Sequence, residues 1–87
     1  RPWFADIITQ LGIAYRDNGE FETAIETFQK AIEINQRHLP AVINLGITYY
    51  MMGFVDLALR EWKNALAIDP DNRDARVYIS LVSSARF

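Results

Sequence analysis

The chain has 87 residues, 51% of them hydrophobic, with nine basic side chains against eleven acidic ones, one histidine and no cysteine. That length holds one small domain, and the apolar share is too high for a disordered segment. A net charge of −2 with interleaved signs excludes the basic stripe that nucleic acid requires, zero cysteines exclude disulfides and thiolate metal sites, and no apolar run approaches the roughly 20 residues that span a bilayer.

Arg1-Pro2-Trp3 leads directly to Asp6 with no apolar stretch of the kind a signal peptide carries. With no initiator Met, the sequence reads as a piece of a longer protein, with the cytoplasm as the default location. The first predicted helix spans 4–18. Ile7, Ile8, Leu11, Ala14 and Tyr15 recur in it at three- and four-residue spacing, and Asn18-Gly19 ends it, because glycine accepts the left-handed conformation of a helix terminus. A second helix over 21–35 carries the stripe Phe21, Ala24, Ile25, Phe28 and Ile32, with Glu20 and Glu22 at the positive end of its dipole. The third, 39–52, carries Val42, Leu45, Gly46 and Tyr49 and breaks at Gly53. The fourth, 55–68, carries Ala58, Leu59, Trp62, Ala65 and Leu66 and stops at Asp69-Pro70. Asp71 or Asn72 is placed to cap a fifth helix, 73–85, with Val77, Tyr78, Leu81 and Val82 on one stripe. Glu26–Lys30, Glu33–Arg37 and Asp56–Arg60 stand at i,i+4 spacing on wet faces.

A shift of 34 residues superimposes the chain on itself. Leu11-Gly12 falls on Leu45-Gly46, Ile13 on Ile47, Tyr15 on Tyr49, Gly19 on Gly53, Ala24 on Ala58, Ala31 on Ala65 and Ile34 on Ile68, and Phe28 falls on Trp62. Small Gly12 and Gly46 leave room for a crossing helix, with Ala24 and Ala58 small from the other side and bulky Phe28 and Trp62 filling the space one turn later. A large residue at either glycine is expected to unfold the module.

These residues resemble the tetratricopeptide repeat, whose pattern runs Trp-x-x-Leu-Gly-x-x-Tyr, Ala-x-x-x-Phe, Pro over 34 positions. The chain departs from it with Ile8 and Val42 for tryptophan and Gln36 for proline. The resemblance implies an all-α, right-handed α-solenoid of antiparallel helix pairs with five helices: one repeat at about 5–38, a second at about 39–72, and a helix over 73–87 that is either a cap or half of another repeat. Pro2, 34 residues before Gln36, hints at a further repeat upstream.

The resemblance further implies a scaffold that binds a protein or peptide in a concave groove lined by the first helix of each unit. The period places Thr9, Ile43 and Val77 in one row, Gln10, Asn44 and Tyr78 in the next, then Ile13, Ile47 and Leu81, and last Arg16, Tyr50 and Ser84, with Met51 beside Tyr50. These rows are mostly apolar, which favours an apolar or amphipathic segment. Family members that clamp a C-terminal carboxylate use lysine, asparagine and arginine at positions held here by Thr9, Ile13, Asn44, Asp74 and Tyr78. Only Asn44 fits, so that function is disfavoured. The alternative is self-assembly, through an edge formed by Trp3, Phe4 and Ile7. An enzyme is not expected, nor any cofactor. His38 reads as a solvated turn residue, and Ser80, Ser83 and Ser84 have no base partner.

Overall fold

The computed structural model describes residues 3–85. Five helices fill them: α1 (Phe4–Asp17), α2 (Phe21–Ile34), α3 (Leu39–Met51), α4 (Val55–Ile68) and α5 (Arg73–Ala85). Each matches its expected span to within one residue. Pro2 lies outside the described residues.

Short turns fold each helix back on the one before it. Gly19 has φ +82° and Gly53 +88°, and these are the positive-φ residues among those described. Around each, the backbone closes the same pair of bonds: Gly19 N to Arg16 O and Glu20 N to Tyr15 O, both 2.9 Å, then Gly53 N to Tyr50 O at 3.0 Å and Phe54 N to Tyr49 O at 2.9 Å. Those bonds satisfy carbonyls that a helix end leaves orphaned. The turns between repeats use an extended residue instead: Asn35 at φ −144°, ψ 101°, and Asp69 at φ −140°, ψ 98°. Pro70 enforces that conformation on Asp69, and Asn35 adopts it without a proline. Asn72 is the residue that caps α5, its Oδ1 accepting from Ala75 N at 2.9 Å.

α1 packs on α2, α3 on α4, α2 on α3, α4 on α5, and α1 also reaches α3. The result is a slab of 42 × 29 × 15 Å, an all-α solenoid two helices deep. One apolar cluster joins Ala24 and Phe28 to Leu45. The larger one joins Val42, Ile43, Ala58, Trp62, Ala65, Ala75 and Val82. Of the expected i,i+4 pairs, Glu33–Arg37 is replaced by a longer reach, in which Arg37 Nη2 donates to Ile68 O at 3.2 Å. The guanidinium thereby meets a carbonyl at the C-terminus of α4, where a cation is favoured.

The glycines at the helix crossings hold no space in reserve. A Cβ on Gly12 would lie 2.6 Å from Phe28 Cε1, and one on Gly46 would run into Trp62 Nε1 and lie 2.8 Å from its Cδ1. The ring stands over the glycine itself instead of one turn away. Gly12→Ala and Gly46→Ala are each expected to cost about 1–3 kcal/mol, a drop of roughly 4–8 °C in Tm for each kcal/mol. At Gly19 an added methyl meets nothing within 4 Å, so Gly19→Ala costs only its backbone conformation, about 1–2 kcal/mol. Thermal unfolding followed by circular dichroism checks the series. Loss of the effect at position 12 in a Phe28→Leu background identifies the ring as the obstacle.

Candidate partner-binding groove

α1, α3 and α5 are the helices whose 34-residue equivalents form the expected groove, and their side chains divide sharply by burial. Leu81 is 63% exposed, and Val77, Tyr50 and Met51 are open to solvent as well. Ile13, Ile47 and Tyr78 are half-buried, and Gln10 is exposed. Tyr78 leans on Trp62 with ring centroids 5.3 Å apart, and Tyr50 approaches the same indole at 6.2 Å. Trp62 is itself buried and donates from Nε1 to Ile43 O at 3.3 Å. Three aromatic rings from α3, α4 and α5 are thus tied together, two of them at the groove.

Several expected groove residues are placed elsewhere. Thr9 is 1% exposed, and its hydroxyl donates to Ala5 O at 2.7 Å. A hydroxyl bonded back along its own helix and packed away from water cannot meet a ligand, so Thr9 leaves the groove. Ile43 leaves it too, buried in the larger core cluster. Asn44 is in place but engaged: its Oδ1 accepts from Arg16 Nη1 at 2.8 Å and its Nδ2 donates to Pro40 O at 2.7 Å. With its Oδ1 held by Arg16, Asn44 serves as a strut between α1 and α3 and keeps one Nδ2 hydrogen beyond the bond to Pro40. Arg16 is mostly buried by that contact, and its Nε also lies 3.4 Å from Asp17 Oδ1.

His38 departs from the solvated turn residue expected. Its side chain is 11% exposed, and Nε2 lies 3.2 Å from Asp6 Oδ1, within ion-pair range but off the angle of a hydrogen bond. It joins the start of α3 to the first turn of α1. Trp3, Phe4 and Ile7 are exposed, as expected of an edge, and Leu11 belongs with them. Leu11 went unassigned because the repeat pattern marks it as a core position.

The perturbed titrating groups belong to Tyr49 and Glu61, off the groove rows. Burial pushes the Glu61 carboxyl up from the usual carboxylate range, opposed by a hydrogen bond from Asn64 and by the Arg60 charge. Burial and then the Glu61 charge push the Tyr49 hydroxyl up, while Arg60 and a Gln29 side-chain hydrogen bond work the other way. A carboxyl whose folded pKa exceeds its unfolded value holds its proton more tightly in the folded chain. Stability therefore falls as pH rises from the ordinary carboxylate range through the raised value, and stays lower above it. Glu61→Gln is expected to melt above the parent at neutral pH, with the gap closing below the ordinary carboxylate range. Melting curves across that interval are the check.

The sequence profile of the tetratricopeptide repeat matches residues 5–38. Residues 5–38 form a tetratricopeptide repeat, and the five-helix fold is that of tetratricopeptide-repeat proteins. It is similar to protein bimA of Emericella nidulans, 35% identical over 71 residues, which cover 82% of this chain and 9% of bimA. The crystal structure of MamA superimposes with a TM-score of 0.87 at 29% identity, covering 94% of this chain and 48% of MamA. The first TPR of Spaghetti (RPAP3), bound to the HSP90 peptide SRMEEVD, superimposes with a TM-score of 0.84 at 20% identity, covering 98% of this chain and 68% of that one, a likeness of fold. The chain spans less than half the length of bimA and of MamA. The tetratricopeptide-repeat fold is in general a scaffold for protein–protein interaction.

Proposed function

We propose that the chain binds an apolar or amphipathic segment of a partner protein across the groove side of α3 and α5, through Tyr50, Val77, Tyr78 and Leu81, with Ile13 and Ile47 beneath them. The observation that carries this reading is the exposure of Leu81 and Val77 beside the tyrosines that lean on Trp62. Apolar side chains left open in one patch mark an interaction surface, and rigid tyrosines contribute contact area at low entropic cost. The one buried cation of the rows, Arg16, is already matched by Asn44 and Asp17, which favours apolar recognition over capture of a carboxylate. The RPAP3 repeat offers a precedent in fold for holding a peptide. The two full repeats at about 5–38 and 39–72 supply the frame.

Ile47 is a poor probe of this surface because it packs against the core cluster. Leu81 stands clear of it. Peptides selected from a random library on the immobilised chain are expected to share apolar residues at fixed spacing. Leu81→Glu should weaken them at least about tenfold, the effect of setting a charge in a desolvated patch, while leaving Tm unchanged. Affinity should vary little with salt. Selection of acidic C-terminal sequences with a steep salt dependence would overturn the reading.

The exposure of Trp3, Phe4 and Ile7 favours a second reading, self-association through α1. Light scattering over a hundredfold concentration range tests it, and a constant monomeric mass excludes it.

A further inference from the structure

The turns inside the two units share one backbone and have opposite chemistry. Each is built on a positive-φ glycine and closes the same pair of backbone bonds. Yet Asp17, Asn18, Glu20 and Thr23 of the first unit correspond, by the 34-residue period, to Met51, Met52, Phe54 and Leu57 of the second. Since a polar turn closes the same bonds, the backbone does not require the apolar one. The core does not require it either, because Met51, Phe54 and Leu57 belong to neither core cluster. They are 52%, 49% and 36% exposed. Phe54 and Leu57, about one helical turn apart at the start of α4, line a shallow hollow of about 310 Å³ with Gly53, Val55 and Asp56.

Stacking of units leaves this edge open. Asp17, Glu20 and Thr23 are exposed although the second unit packs directly on the first. A neighbouring unit therefore does not cover these positions, and the exposure of Met51, Phe54 and Leu57 belongs to the turn itself. Large apolar side chains gathered where solvent reaches them mark an interaction surface, and methionine adapts its shape to what it meets.

The charges beside the patch select its occupant. α1 lies alongside α3, with Arg16 bonded to Asn44, so the two turns sit on one edge of the slab. Glu20 and Glu22 are exposed there and form no ion pair among the described residues. Arg16 is mostly buried against Asn44 and Asp17, and Arg60 stands one turn beyond Asp56 on α4. An acidic flank disfavours a second copy of the same acidic edge and an anionic bilayer surface, and it attracts a cationic partner.

We propose that the α3–α4 turn is a docking site for a partner-protein segment that sets apolar side chains on Met51, Phe54 and Leu57 and lysine or arginine against Glu20 and Glu22. The site is separate from Val77 and Leu81 on α5 and does not depend on the groove.

The test selects peptides from a random library on the intact 87-residue chain and keeps those that bind Leu81→Glu as tightly as the parent. Fluorescence anisotropy then measures their affinities. The retained peptides are expected to join apolar residues to lysine or arginine. Phe54→Ser should weaken them at least about tenfold, since it removes the ring that the segment covers. Phe54 is the N-cap of α4 and makes no side-chain cap bond, and serine is favoured at that position, so Tm should hold. Leu57→Ser serves as the second variant, with folding checked by circular dichroism. Glu20→Gln combined with Glu22→Gln should weaken binding several-fold, as should raised salt. Absence of such peptides overturns the proposal, as does affinity that neither serine variant lowers. Purely apolar peptides indifferent to salt and to the glutamine pair overturn it too. A concentration-dependent mass that Phe54→Ser abolishes assigns the patch to a second copy, and binding to phosphatidylserine vesicles that Phe54→Ser abolishes assigns it to a membrane; either result overturns it.

Discussion

An aromatic ring pressed onto a glycine holds each helix pair together. Phe28 covers Gly12 and Trp62 covers Gly46, at distances that leave no room for a methyl group. Contact this close lets two backbones approach each other, and it buries each ring almost completely. The constraint works in both directions: the glycine is required by the ring, and the ring has no other place to go. Turn geometry and the inter-repeat stack follow once each pair is locked, because Gly19 and Gly53 only have to return the chain to a position already set.

The second ring carries more than its pair. Trp62 bonds to the Ile43 carbonyl and touches both Tyr50 and Tyr78, so one side chain of α4 reaches α3 and α5 together. Phe28 has no donor with which to repeat that arrangement in the first unit. The groove side is therefore richest in aromatic surface in the second half of the chain, which is also where Val77 and Leu81 are open. Toward α1 the groove turns polar, with Arg16, Asn44 and Pro40 bonded among themselves.

The two ends of the stack are chemically unlike. α1 presents a strip of large apolar side chains, and α5 presents arginine and serine at the positions where α1 and α3 carry apolar residues, glycine and tyrosine. Repeat arrays bury the face of each unit against its neighbour, and a terminal unit needs a polar outer face.

Helix spans, breaks and the paired glycines were legible in the sequence because they are local or periodic properties. An apolar stripe, a left-handed glycine and an Asp-Pro step act within a few residues, and the 34-residue identity doubles each signal. The groove was legible only as a set of positions. Thr9 and Ile43 occupy groove positions by period yet are buried, because a threonine hydroxyl can satisfy itself on its own helix and because α4 and α5 close over α3. Asn44 looked like a free amide until folding brought Arg16 to it across 28 residues. His38 looked solvated until α1 delivered Asp6 beside it. Leu11 and Leu45 are the same residue in the same motif, and only the presence or absence of a helix across from them decides which is core and which is surface. Burial is a property of what lies opposite a side chain, and a repeat sequence assigns the same residue type to a position whether or not its neighbour is there.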